Sequence, residues 1–256
     1  MTQLTLKLIA MLAMVLDHTA KVVVAHPYFL RFCFSSVDYG TKVDFYYLVV
    51  IIGRLALPIF AWFVAEGCSR TRSTGKYALR LFVFGLISEI PFQLCFLGAA
   101  DKGLQLGFHN VMWTLFLAVS GIHLGNLAEK HKLSWLKPFV YLAAIMLGIF
   151  LETDYNGWGV ALAIGVYLLP RKREKLIFLT AWILIFYLFW HGMDNGTLVW
   201  LTAQGRIQLY YCLGALLSVP LLGSYTGEKG RGAKWLFYLF YPVHLSLLYF
   251  ITTRFY

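Results

Sequence analysis

The sequence predicts an all-α protein, a polytopic transmembrane helix bundle of about nine spans with a cytoplasmic amino terminus. Three observations carry that prediction. Of 256 residues, 60% are hydrophobic and only 13% are charged, so little polar sequence remains for a soluble domain. Several apolar runs reach the roughly 20 residues a helix needs to cross a hydrocarbon core of about 30 Å. Basic residues cluster in alternate loops, the pattern that membrane insertion leaves behind. The whole chain, 1–256, reads as a single integral membrane domain.

The first span, 6–25, contains LKLIAMLAMVLDHTAK, whose ionisable Asp17, His18 and Lys21 argue for a retained helix over a cleaved signal. The second, 45–66, carries Arg54 and Pro58 in GRLALPIF, and the proline's missing N–H predicts a kink. Glu89 precedes Pro91 in the third span, 77–97, while His109 and Asn110 open the fourth, 109–126. The fifth and sixth, 136–152 and 157–169, have apolar cores too short for an upright crossing, so a tilted or re-entrant pair is expected. The seventh and eighth cover 175–191 and 206–223, and the ninth, 235–252, holds His244 in YPVH.

Charge fixes the orientation. Lys7, then Arg70, Arg72, Lys76 and Arg80, then Lys130, Lys132 and Lys137, then Arg171, Lys172, Arg173 and Lys175, then Lys229, Arg231 and Lys234 fall on one side. Only Arg31, Lys42, Lys102, Arg206 and Arg254 fall on the other. The richer side is cytoplasmic, which places the carboxyl terminus outside and the protein in the cell's inner membrane. The net charge of +10 is this same asymmetry plus an attraction for anionic lipid, and it calls for no nucleic acid. Cys33, Cys68, Cys95 and Cys212 lack paired spacing and read as small buried hydrophobes, not disulfide partners or metal ligands. No metal motif or phosphate-cradling glycine loop is present, and Asn195-Gly196-Thr197 forms a sequon on the exported side.

Function must therefore lie in the polar groups inside the spans, since each costs several kcal/mol in lipid unless paired or facing a cavity. Asp17 and Lys21, four apart, are expected to pair on one helix face, which leaves His18 to find a partner elsewhere. Arg54 cannot lose its proton and needs an acid, Asp17 or Glu89, unless it orients a substrate carboxylate or acyl carbonyl. Glu66 and Arg70 form a second same-face pair at the cytoplasmic end. Lys7 and His18, eleven residues apart, stand within roughly 20° of one another around a helix and about 16 Å apart along it. A donor with an anionic head and a thin arm would touch both, and coenzyme A has that shape.

The strings LKLIAMLAMVLDHTAK, GRLALPIFAWFVAEG, KYALRLFVFGLISEIPF and FYLFYPVHL, in this order, resemble the TraX family, whose founding activity is acetylation of the amino terminus of a pilin subunit. The spacing Lys7-x10-His18 is also similar to the basic-x10-His pattern of acyltransferase-3 type membrane acyltransferases. Those enzymes often carry an Arg-x-x-Arg pair, whereas the nearest equivalent here is Arg70-Thr71-Arg72. The resemblance implies transfer of an acetyl group from cytoplasmic acetyl-CoA to an amine, sugar or peptide acceptor near the exported face. Lys7, Arg70 and Arg72 would meet the donor phosphates. His18 would act as base or take the acetyl group itself, with Asp17 beside it. His244 would bind the acceptor or the developing oxyanion, or simply make a buried hydrogen bond. Arg54, Glu89, His109 and Asn110 would line the substrate chamber or brace it. Buried Asp, Glu and His are equally the equipment of a proton-coupled small-molecule transporter, and a noncatalytic assembly factor would use them as packing glue.

Overall fold

The computed structural model describes residues 1–24, 39–190, 193–194, 197–198, 203–230 and 234–255. It is 83% helical, which bears out the all-α class. Arg31, Cys33 and Asp38, the asparagine of the sequon and Arg231 lie outside the described residues.

Local chemistry sets the helix starts. Thr2 accepts from the Thr5 amide to open α1 (Gln3–Thr19). Next come α2 (Tyr39–Gly53) and α3 (Ala56–Arg70). Ser73 caps α4 (Thr74–Phe96) at the Lys76 amide, and Asn110 caps α5 (Val111–Lys130) at the Met112 amide. The remaining helices are α6 (Lys137–Phe150), α7 (Asn156–Leu168), α8 (Lys172–Leu184), α9 (Ala203–Leu216), α10 (Ser218–Gly223) and α11 (Lys234–Phe255). A two-residue antiparallel pairing joins Met193–Asp194 to Thr197–Leu198.

Among the described residues, regular winding fails at several places, three of which bear on the buried polar groups. π-helical turns follow α1 at Ala20–Val24 and α8 at Ile185–Trp190. Between α2 and α3 the helix breaks at Arg54 and Leu55. Pro58 explains the break, because it has no N–H to give the Arg54 carbonyl four residues earlier. Pro91 and Pro242, by contrast, sit inside helices that run on through them, and the backbone around Glu89 stays helical.

Among the described residues, four helical stretches are long and apolar enough to cross a membrane, Tyr46–Arg70, Thr74–Phe96, Val111–Lys130 and Trp235–Arg254, and they match the second, third, fourth and ninth expected spans. Shorter apolar helices, Ser134–Phe150, Asn156–Leu168 and Ile207–Gly223, occupy the fifth, sixth and eighth. α6 and α7, with 14 and 13 residues, rise only about 21 and 20 Å, short of a full crossing when upright. The first and seventh positions hold α1 and α8, whose apolar runs are diluted by Lys7 and Asp17 and by Lys172-Arg173-Glu174-Lys175. Leu79, Val83, Leu86 and Ile90 stand exposed at helical spacing along α4, the face a helix turns toward lipid.

The chain divides into two compact units. The first comprises Met1–Phe60, Leu176–Gly232 and Leu247–Tyr256. Within it α1 packs on α2, α2 on α9, and α9 on the π-turn after α8, with Leu6, Ala10, Ile59, Ile183 and Leu222 buried. The amino-terminal residues pair with the segment before α11: the Met1 ammonium donates to the Ser224 carbonyl at 2.6 Å and the Gln3 amide to the Glu228 carbonyl at 2.8 Å. The second unit comprises Ala61–Lys175 and Ala233–Ser246. There α5 packs against α4, α6 and α7, and Phe63, Val119, Ile122, Leu162 and Leu245 are buried.

Candidate functional site

Each unit contains a buried polar cluster. In the first, Asp17 is only 5% exposed and its two carboxylate oxygens are divided between two cations. Lys21 Nζ, one helical step along, reaches Oδ2 at 2.7 Å; Arg54 Nη2, from the break between α2 and α3, reaches Oδ1 at 2.5 Å. Of the two acids the sequence offers Arg54, the fold supplies Asp17. The guanidinium also donates from Nε to the Val50 carbonyl at 3.3 Å, hydrogen-bonds Tyr187 and lies 5.2 Å from the centre of the Tyr211 ring.

Three irregular segments supply this cluster. Lys21 lies in the π-turn after α1, Arg54 in the break, and Tyr187 in the π-turn after α8. Irregular winding of this kind re-aims side chains and concentrates at functional sites. Close approach of α1 and α2 depends on Gly53, because a Cβ there would collide with the Asp17 side chain. Gly53→Ala is accordingly expected to cost about 1–3 kcal/mol through overpacking. Unfolding in detergent measures it, and wild-type stability would show that the helices do not meet at this point.

α1 is unbroken from Gln3 to Thr19, so Lys7 and His18 keep the face-sharing relation read from their spacing, and both are half-buried. His18 follows Asp17 directly on α1.

In the second unit Glu89 of α4 accepts five hydrogen bonds. Oε1 takes His109 Nδ1 at 2.7 Å, the His109 amide at 3.2 Å and Gln93 Nε2 at 3.1 Å. Oε2 takes Asn110 Nδ2 at 2.6 Å and Trp113 Nε1 at 2.9 Å. Asn110, fully buried, also donates to the Gly85 carbonyl at 2.9 Å while capping α5, so one side chain starts that helix and fastens it to α4. Gln93 exchanges two bonds of 2.8 Å with the Gln105 backbone, which anchors the segment leading to His109.

The other expected residues have plainer surroundings. Arg70 Nη2 holds Glu66 Oε1 at 2.6 Å, as their spacing implies, and Arg72 is exposed in the turn before α4. Lys175, missed by sequence reasoning, places Nζ 5.7 Å from the centre of the Trp62 ring. His244 is buried and gives Nδ1 to the Phe240 carbonyl at 2.8 Å, its ring stacked on Phe240 at 4.5 Å. Cys68 and Cys212 are buried free thiols, and Cys95 donates to the Leu245 carbonyl. Tyr187, Tyr211, Gln93 and Trp113 also escaped the sequence reading. Gln93 alone carried a signal, four residues after Glu89 on one helix.

Comparison with known proteins adds two matches. The family model described as TraX protein matches residues 2–252. A curated relative, the probable fimbrial assembly protein FimC, serogroup H1, of Dichelobacter nodosus, is 29% identical over 256 residues, spanning 95% of this chain and 92% of its own length. No solved structure matches.

Proposed function

Because the chain belongs to the TraX family, we propose that it is a membrane acetyltransferase that moves an acetyl group from cytoplasmic acetyl-CoA to an amine or hydroxyl near the exported face. The supporting observation is the first helix. It presents Lys7 and His18 on one face, about 16 Å apart along the axis, and ends in an ion cluster and a π-turn that fix its deep end. Lys7 meets a donor phosphate at the cytoplasmic mouth. His18 meets the thioester, where an imidazole can take a proton or accept the acetyl group. The relative's name refers to fimbrial assembly, and the activity implied by the family resemblance is acetylation of a pilin amino terminus. A peptide amine is accordingly the first acceptor to try.

Purified protein in detergent is expected to bind acetyl-CoA and release CoA in the presence of a peptide acceptor. Absence of both binding and release would remove the acetyl-transfer reading and leave transport or assembly. Donor and acceptor sides also require a particular topology. Labelling of introduced cysteines is expected to place the 70–80, 129–137, 171–175 and 228–234 segments in the cytoplasm of inner-membrane vesicles and the carboxyl terminus outside. Opposite placement of 171–175 and 228–234 would rule out nine crossings.

A further inference from the structure

A short segment between α4 and α5 presents an open backbone edge. Gly103, at φ 79°, ends the helical turn Ala99–Lys102, and from there to His109 the chain is not helical. Gln93 of α4 holds its middle: the side-chain amide donates to the Gln105 carbonyl and accepts from the Gln105 N–H, both at 2.8 Å. A residue offers its N–H and C=O to one side only when the chain is extended, so Gln93 stands where a neighbouring strand would. The backbone groups of Leu104 and Leu106 then point to the opposite edge, and among the described residues they have no hydrogen-bond partner. The two leucine side chains share a face, Leu104 being 60% exposed and Leu106 fully so.

These properties together decide what can cover the segment. Unpaired N–H and C=O groups are not left in hydrocarbon, which argues against lipid, whereas water satisfies them and leaves two leucines bare. A second extended chain answers both needs, pairing with the edge and packing on the leucines. The surroundings select its charge. Thr114, one turn beyond the Asn110 cap, donates to the Thr153 hydroxyl at 3.2 Å and to the Asp154 carbonyl, which brings the turn carrying Glu152 and Asp154 to this end of α5. Glu152 is exposed and Asp154 half-buried, and among the described residues Lys102 is the single lysine or arginine at this end of the unit. A peptide amino terminus carries the complementary charge.

We propose that residues 103–107 are the docking edge for the acceptor, a peptide that binds as an added strand and whose amino-terminal charge is matched by the Glu152–Asp154 turn. The assignment rests on the acetyl-transfer reading and deepens it, naming an extended, apolar peptide with a free amino terminus as the substrate class.

The experiment measures binding of a short, fluorescent valine- and threonine-rich peptide with a free amino terminus to the wild-type protein in lipid nanodiscs. Two further versions of the peptide are N-methylated at alternate amides, one at odd and one at even positions, because an added strand turns only one set toward the edge. One version is expected to lose about tenfold or more in affinity, through two missing hydrogen bonds, while the other binds nearly as the parent does. Acetylating the amino terminus weakens binding, and the difference narrows at high salt. Leu104→Ser with Leu106→Ser also weakens it. No binding to wild type, equal losses from the two methylated versions, or an acetylated peptide that binds as well overturns the docking assignment, even where the protein acetylates a small amine. Unchanged peptide affinity in the leucine variant gives those side chains to lipid or to a second copy and overturns it too. One-sided loss on methylation, with no amide and no free CoA formed from acetyl-CoA, removes the acetyl-transfer reading and supports the edge as a site for a peptide that is not an acceptor.

Discussion

His18→Ala is expected to slow single-turnover acetyl transfer by about 100-fold or more while leaving acetyl-CoA affinity nearly unchanged. The separation along α1 is the reason. The nucleotide end of the donor would be held about 16 Å from His18, so removing the imidazole takes nothing from the phosphate contacts. Lys7→Gln should fail in the opposite manner. Donor affinity weakens, the deficit narrows at high salt where the lysine's charge is already screened, and turnover at saturating donor persists. Affinity by equilibrium binding and single-turnover rates for both variants decide the matter. Normal transfer by His18→Ala would strip that residue of its role, and equal effects of the two substitutions on affinity would dissolve the idea of one ligand touching both.

Arg54→Ala is expected to lower stability in detergent by about 3 kcal/mol, because it strands half of a buried carboxylate. Lys21 continues to hold the other oxygen, which keeps the loss toward the lower end of what a broken buried pair costs. Arg54→Lys should recover only part of it, since an ammonium cannot serve the Asp17 oxygen, the Val50 carbonyl and the Tyr187 hydroxyl with the same fork. The informative partner is Asp17→Asn in the Arg54→Ala background. It removes the stranded charge and should restore most of the stability, while Lys21, about a third exposed, turns to solvent. A double variant as weak as Arg54→Ala alone would show that the arginine stabilises through something other than Asp17. Unchanged stability with lost transfer in Arg54→Ala would move the arginine to the substrate.

What was legible in the sequence was whatever a single helix decides. Asp17 with Lys21 and Glu66 with Arg70 follow from four-residue spacing, and both pairs are found. Pro58 announced the interruption at Arg54, since loss of one N–H is local. The apolar runs gave the helices and the all-α class. The choice between Asp17 and Glu89 for Arg54 was not legible, because it depends on which helices pack together. Trp113 was hidden for a different reason: tryptophan in a membrane protein is expected at the interface, and only the fold turns its N–H onto a carboxylate. His109 looked like one more polar residue at a helix start until Glu89, twenty residues earlier, was seen to fix its ring.

The π-turns could not be anticipated, having no composition of their own, yet they bear on how such a chain can change. A π-turn closes its hydrogen bonds one residue further along than an α-turn, so Ala20–Val24 holds an extra residue. Deleting one residue there would let the winding close at 3.6 per turn with the segments on either side kept nearly in phase, whereas the same deletion in a regular helix would swing everything after it by about 100°. The same holds for Ile185–Trp190, the turn that carries Tyr187. A single-codon deletion at either place therefore changes which side chains the turn itself presents to the cluster and leaves α1 and α8 as they are.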